Sequence, residues 1–515
     1  MGIEDWLLSA AERGNPATAL DAGRPDGQAW STGNLVRPLV HGATYFAELR
    51  AAVDRMRRGD LLLFVDWRGD PDERLTGEDG SEVSRVFAAA AERGVTVYGL
   101  IWRSHLDRFQ FSAQENRHLG EDIEAAGGCC VLDMRVRVGG SHHQKFVVLR
   151  HPGRPELDVA FLGGIDLCHS RRDDITHRGD PQPQPMAAVY GKRPPWHDVQ
   201  LAITGPAVAD VETVFRERWD DPQPLTANPV HRLADLVRRD SERRAPLPAP
   251  LRPPAPTGPH VVQLLRTYPQ RIPRYAFAPH GERSVARGYL KALRNARWLI
   301  YLEDQYLWSR EVATCIADAL RANPDLHLVA VLPHFPDQDG RALPPNLSGR
   351  NAALEVILPA ARERVGLYGV ENHAGTPVYV HAKVCVVDDT WATVGSDNFN
   401  RRSWTHDSEL TAAIWDDSAA FAAELRTTLA AEHLDLDQAG AVTDPAALFD
   451  AFRDSAATLQ RWHDSGRVGA RPPGRLRPLA PSPLPLRTRL WAGPLARLVY
   501  DPDGRRPRDR WRNRY

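Results

Sequence analysis

A histidine followed two residues later by a lysine, at the head of an apolar strand, occurs twice in this chain. The first copy is His143-Gln144-Lys145 running into Phe146-Val147-Val148, and the second is His381-Ala382-Lys383 running into Val384-Cys385-Val386-Val387. Positions 143 and 381 lie 238 residues apart, a spacing that suits a duplicated domain and not a short solenoid repeat. Side chains two apart on a strand share a face, so the imidazole and the ammonium of each copy project together. A second short apolar strand follows each copy, Val159–Leu162 and Trp391–Val394. Each of these ends in a small-residue turn: Gly163-Gly164-Ile165-Asp166 in the first, Gly395-Ser396-Asp397-Asn398 in the second.

The flanking pattern repeats as well. In the first half a helix carrying Phe46, Leu49, Val53 and Met56 precedes a buried strand, Leu61–Val65, which ends at Asp66-Trp67. In the second half a helix with Val285, Tyr289, Ala292 and Ala296 on one face precedes Trp298–Leu302, which ends at Glu303-Asp304-Gln305. The carboxylates at that strand end read equally well as cleft wall or as a buried polar network. Alternating helices and strands predict an α/β architecture with a parallel or mixed sheet. Between the halves, the proline-dense stretch Ala245–Pro259 predicts an extended, semi-rigid linker. The expected division is 1–235 for the first half, 236–259 for the linker, 260–437 for the second half, and 438–515 for a C-terminal helix with a Pro/Arg-rich tail. The arginines there (Arg505, Arg506, Arg508, Arg510, Arg512, Arg514) read as a solvated tail.

A 515-residue chain with 42% hydrophobic residues can bury two domain-sized cores. Its formal net charge of −1 supplies no global field for nucleic acid or anionic lipid. Five cysteines, an odd number lying partly in apolar segments, do not suggest a disulfide framework and fit a reducing compartment. The N-terminus lacks a basic segment followed by an apolar one, and no run reaches the roughly 20 apolar residues of a membrane span. The expected location is cytoplasmic, peripheral to the inner face of the membrane. The oligomeric state is left open, a monomer being the default.

Paired imidazoles and paired ammonium groups suit the cleavage of a phosphodiester. Imidazole titrates near neutrality and serves as nucleophile or as proton donor, while lysines and an amide offset charge on the phosphoryl oxygens. No acidic cluster resembles a Mg²⁺ or Ca²⁺ cage and no partner spacing makes His142 a zinc ligand, so neither metal nor cofactor is expected.

Two H-x-K motifs on two halves of one chain resemble the phospholipase D superfamily. The segments GGIDLCHSRRDD, PWHDVQL, LEDQYL and THDSEL are similar to its lipid-cleaving, eukaryote-like branch. The resemblance covers most of residues 40–435. It implies two pseudo-symmetric α-β-α sandwich halves with the active site at their interface, and a covalent phosphohistidine resolved by water or an alcohol. By that likeness His143 is the nucleophile and His381 the acid, with Lys145, Lys383, Asp166 and Asn398 beside them. Asp388, Gly163, Gly164, Gly395 and Ser396 form the motif scaffold. Glu409 matches the acid that supports a catalytic imidazole, and Asp198 is the expected supporting acid of the first half.

One position departs from the pattern: the motif aspartate seven residues after His143 is Arg150, and Glu156 or Asp158 is a candidate replacement. The expected function is a phospholipase D-type phosphodiesterase acting on a phospholipid at a membrane surface, with no nucleic-acid partner. A cardiolipin-forming type of synthase or a nuclease of the same superfamily is the alternative, and a non-catalytic lipid- or protein-binding relative is a third.

Overall fold

In the computed structural model, residues 1–515 are described except 106–112, 230, 234–243, 419, 438–441 and 513. The first half contributes β1 (Ser31–Val40), β2 (Leu61–Asp66), β3 (Thr96–Trp102), β4 (Cys129–Asp133), β5 (Phe146–Arg150), β6 (Val159–Gly163), β7 (Trp196–His197) and β8 (Val199–Thr204). The second half contributes β9 (His260–Tyr268), β10 (Glu282–Arg283), β11 (Leu299–Glu303), β12 (His327–Val331) and β13 (Val365–Glu371). It continues with β14 (Pro377–Val380), β15 (Val384–Val387), β16 (Trp391–Gly395), β17 (Glu409–Trp415) and β18 (Leu476–Pro478).

The two sheets repeat one plan. Strands run β8-β6-β5-β2-β3-β4 in the first and β17-β16-β15-β11-β12-β13 in the second. In each sheet three strands are parallel and the motif hairpin is antiparallel, so both sheets are mixed. β1 flanks β8, β9 flanks β17, and β1 also meets β9, which joins the two sheets. The register keeps the sequence interval: Leu61 faces Arg150 and, 238 residues on, the amide of Leu299 meets the Asp388 carboxylate.

The near-continuous apolar strands follow from burial on both faces. Along β2, Leu61, Leu63 and Val65 enter a central core shared by both halves, while Leu62 and Phe64 pack on the outer helices of the first half. Along β11, Leu299 and Tyr301 enter the same central core, and Ile300 and Leu302 pack on the outer helices of the second. Each such side chain is worth roughly 1.5–3 kcal/mol of burial. The helices Ala207–Trp219 and Ala420–Leu434 supply the helical part of the central layer.

Chain ends and linker add detail that the repeat does not contain. Trp6, Leu7 and Leu8 pack into the outer core of the second half, although they precede the first half in sequence. Positions 236–243 of the expected linker lie outside the described residues. The rest is extended, with its carbonyl oxygens accepting from first-half side chains: Trp219 Nε1 on Ala245 at 2.9 Å, Arg216 Nη1 on Pro248 at 2.8 Å and Arg150 Nη2 on Arg252 at 2.6 Å. The tail differs from the solvated segment expected. Arg505 is buried with Asp503 at 2.9 Å and lies over the Tyr515 ring, and Tyr515 packs on Trp404. Arg506, Arg508, Arg510, Arg512 and Arg514 remain exposed.

Candidate active site

Each H-x-K strand is hung from the opposite half by backbone hydrogen bonds. His143 N donates to Ser408 O at 2.9 Å, and Ser408 N donates to Ser141 O at 3.0 Å. His381 N donates to His197 O at 2.8 Å, extending the parallel pairing of β14 with β7. In both places the residue after the bridge is acidic, and it takes the imidazole of the other half. His143 Nδ1 lies 2.9 Å from Glu409 Oε2, and His381 Nδ1 lies 2.6 Å from Asp198 Oδ2. This corrects the expectation that Asp198 supports the histidine of its own half. Local spacing ties Asp198 to His143, but the bridging strands carry each acid across the interface.

Apart from the part-exposed His143 ring the site is buried, and burial sets its protonation. Burial first, then the Lys145 and Lys383 ammonium groups, hold the His143 imidazole well below its ordinary value. Burial, Lys383 and Arg171 do the same to His381. Burial and the neighbouring Asp407 push the Glu409 carboxyl up to about 8, and burial raises Asp198. Both effects disfavour a buried imidazolium–carboxylate ion pair. With Nδ1 committed to the acid, each Nε2 is left to face a ligand. Ser396 Oγ fixes Glu409 from behind at 2.5 Å.

The lysines sit differently. Lys145 Nζ lies 3.3 Å from Asp166 Oδ1, whereas Lys383 Nζ donates to the neutral Gln305 Oε1 at 3.2 Å. Burial lowers Lys383 to about 8. Asp166 would rise through burial, but Lys145 and Arg171 hold it down to about 2. Asn398 follows its strand by the same three residues as Asp166, and its buried Oδ1 has no protein partner.

Several neighbours carried no signal in the sequence or only a faint one. Trp67 lies edge-on to His143 at 5.8 Å, and Trp196 lies 4.9 Å from His381 with the Arg171 guanidinium 4.0 Å over its face. Trp67 follows a buried strand at its carboxyl end, the usual place for ligand-facing residues in an α/β sheet. Arg171 has no such marker. Of the strand-end acids, Glu303 belongs to a buried polar network, receiving His197 Nε2 at 2.6 Å and His433 Nε2 at 2.8 Å. Asp304 holds the loop by accepting from the amides of Tyr306, Leu307 and Phe399, while Gln305 meets the lysine.

The motif glycines serve close approach, not a left-handed turn. A Cβ on Gly163 would lie 2.4 Å from Gln200 Oε1, and one on Gly395 would lie 2.0 Å from Thr411 Oγ1. A Cβ on Gly164 would lie 2.3 Å from Asp198 Oδ1 and displace the acid that holds His381. Asp388 accepts the amides of Arg297, Trp298 and Leu299 at 2.7–2.9 Å and so anchors the start of β11. Arg150, at the equivalent place, is buried between Asp158 at 2.9 Å and Glu212. Asp158 answers Arg150 and the His151 amide, and Glu156 is exposed, so neither replaces the missing aspartate. The two His/Glu clusters among the described residues whose geometry suits a metal ion lie around Glu432 and Glu303 and include none of the four motif His and Lys residues.

A duplicated α/β scaffold presenting two His–Lys pairs at one interface defines a two-lobed protein whose site is completed only when the halves meet. Residues 128–315 match the phospholipase D family model, and residues 292–432 match the PLD-like domain of cardiolipin synthase. The chain belongs to the phospholipase D superfamily. Among its relatives, phospholipase D alpha 2 of Oryza sativa subsp. japonica is 27% identical over 393 residues, covering 55% of this chain and 46% of the relative. Phospholipase D beta 2 of Arabidopsis thaliana is 28% identical over 373 residues, covering 52% and 40%. The chain therefore spans less than half the length of these relatives. A phosphatidylserine synthase from Haemophilus influenzae Rd KW20 shares the fold, with a TM-score of 0.52 at 13% identity over 84% of this chain and 94% of that one.

Proposed function

We propose that the chain is a phospholipase D-type phosphodiesterase that opens the headgroup ester of a glycerophospholipid through a phosphohistidine. His143 Nε2 attacks phosphorus in line, and His381 gives its Nε2 proton to the departing headgroup alkoxide. His381 then takes a proton from water or an alcohol, whose oxygen attacks phosphorus and breaks the phosphorus–nitrogen bond, freeing His143. Lys145, Lys383 and the Asn398 amide hold the phosphoryl oxygens as charge grows on them. A bound phosphodiester also supplies the negative charge that restores an imidazolium at His381. The observation that carries this reading is the crossed pairing of each imidazole with an acid of the other half, which orients both Nε2 atoms. Membrane contact is peripheral in this reading: among the described residues no helix is long and apolar enough to cross a bilayer.

The test is incubation with phosphatidylcholine vesicles and ethanol, with chelator present. Phosphatidylethanol and choline are the expected products, and intact lipid in all headgroup classes, with active protein, overturns the reading. The match of the second half to a cardiolipin synthase-type model favours a variant in which a lipid alcohol is the acceptor. Replacing ethanol by phosphatidylglycerol separates the two, since only the variant yields a dimeric phospholipid.

A further inference from the structure

Behind the second imidazole, three histidine rings converge on one carboxylate that comes from the other half of the molecule. His41 Nε2 lies 2.9 Å from Glu432 Oε2, and His177 Nε2 lies 2.8 Å from Glu432 Oε1. His197 Nδ1 lies 3.5 Å from Glu432 Oε1. All four residues are buried, and one ligand atom from each falls within 4.8 Å of the others. The rings stand at 53–72° to one another, with centroids 4.8–5.8 Å apart, so they surround the carboxylate and do not stack on it.

The outer nitrogens decide what fills the centre. His177 Nδ1 lies 3.0 Å from the Trp196 carbonyl, which only accepts, so Nδ1 carries the hydrogen. A neutral ring then aims its Nε2 lone pair at Glu432, another acceptor. His197 gives its Nε2 hydrogen to Glu303, and its buried Nδ1 has no hydrogen-bond partner. Acceptors facing acceptors at these distances need either an added ring proton or a metal cation between them, and three buried imidazoles around one carboxylate suit the metal. Two of the three imidazoles, His177 and His197, thus have their far N–H held by a carbonyl or a carboxylate, the usual surroundings of a metal-bound histidine, while the buried Nδ1 of His41 has no hydrogen-bond partner. Glu303 is itself held by His433 and by the Tyr301 hydroxyl at 2.6 Å.

We propose that His41, His177, His197 and Glu432 bind one divalent transition-metal ion, zinc by preference, which fastens the two halves together. Three imidazoles and one carboxylate form a closed tetrahedral set, with expected metal–ligand distances of about 2.0–2.2 Å. Four protein ligands leave no open position, so the ion is structural. The Arg475 guanidinium, 3.8 Å from Glu432 Oε1, is balanced by Asp435 at 2.8 Å, and a dication balances Glu432 and Glu303. Its reach extends to the site through His197, whose carbonyl receives the His381 and Ala382 amides at 2.8 and 3.2 Å and whose neighbour Asp198 holds the His381 ring. A surface groove lined by Ile175, His373, Asp435 and Arg475 reaches Glu432 and gives the ion a way in.

The test is elemental analysis of untagged, full-length protein grown with zinc and desalted, with about one zinc per chain expected. Cobalt exchanged into the protein should show the visible bands of four-coordinate Co²⁺. Chelator should lower the melting temperature by several degrees, and zinc should restore it. Glu432→Gln and His177→Asn should lose both metal and bands, while His373→Ala, at the groove mouth, keeps them. A folded wild type with less than about a tenth of a metal per chain after zinc loading, and a melting curve indifferent to chelator, overturns the proposal; the cluster is then held by protons. Six-coordinate cobalt bands, or metal retained in Glu432→Gln, also overturn it by placing the ion elsewhere. If neither variant folds, the wild-type cobalt spectrum and the chelator shift decide the matter alone.

Discussion

The two half-sites are built from the same parts, yet they are not copies. Each has an imidazole, a lysine, a tryptophan neighbour and an acid borrowed from across the interface. They differ in what surrounds the lysine and in what holds the hairpin. Lys145 faces the ionised Asp166, whereas Lys383 faces an amide oxygen. The second hairpin is anchored by Asp388 on backbone amides, the first by Arg150 between two carboxylates. The two half-sites thus share an imidazole, a lysine and a borrowed acid and differ in their supports. The exchange of acids makes neither half-site complete without the other.

The largest effect expected comes from removing either imidazole. His143→Ala and His381→Ala should each lower phosphatidylethanol formation by a factor of about 10⁴ or more, a residue set acting as a unit. A nitrophenyl ester of phosphatidic acid distinguishes the two, because its leaving group departs without a proton. His381→Ala should release a burst of nitrophenol from that ester, and His143→Ala should release none. The reverse pattern would falsify the assignment of roles.

Next in size are the acids, expected at about 10²–10⁴-fold when replaced by their amides. Asp198→Asn should behave as a damaged His381 and recover on the nitrophenyl ester. Glu409→Gln should behave as a damaged His143 and fail to recover. If each acid served its own half, the two rescue results would trade places.

That trade marks the limit of what the sequence discloses. The duplicated H-x-K strands, the buried Leu61–Val65 and its counterpart, and the mixed α/β layers are all written in local pattern, because strand burial and period depend on neighbours in sequence. Asp198 and Glu409 are also recognisable as acids near a motif. Their partners are not, since the bridges from Ser408 to His143 and from His197 to His381 are contacts between distant segments. For the same reason His41, His177 and Glu432 look unremarkable along the chain and form a cluster only after the halves dock. The tail misleads in the opposite direction: its composition reads as solvated, yet Arg505 and Tyr515 anchor it.

The supports can be separated from the chemistry by stability. Arg150→Met leaves Asp158 buried without its arginine and Glu212 with Arg216 alone, and should cost about 3–5 kcal/mol in urea unfolding. Arg150→Asp, which restores the motif letter, should be worse, since it adds a third carboxylate. Asp388→Ala strips the acceptor from the amides before β11 and should cost about 1–3 kcal/mol. Activity per folded molecule should hold in Arg150→Met. A large loss there, at full folding, would show that this hairpin does more than support.

The smallest effect compares the lysines, and it has a sign that pH can test. Burial lowers Lys383 from 10.5 to about 8, so the folded protein binds fewer protons than the unfolded chain between those values. The charged lysine therefore costs stability in full below about pH 8, and that cost disappears as pH rises toward 10.5. Lys383→Met should then be more stable than the wild type at pH 7 by up to about 3 kcal/mol, with the difference vanishing above roughly pH 10.5. Activity should run the other way: the variant should lose about 10²–10³-fold, and the wild type should decline as pH passes 8 and the clamp on the phosphoryl oxygens loses its charge. Lys145→Met should give no such stability gain, because it strands Asp166 beside Asp66, a carboxyl that burial and Asp166 already push far up. Equal stability changes in the two lysine variants would show that Asp166 and Gln305 are equivalent partners, and the contrast between the half-sites would then lie in the hairpin anchors alone.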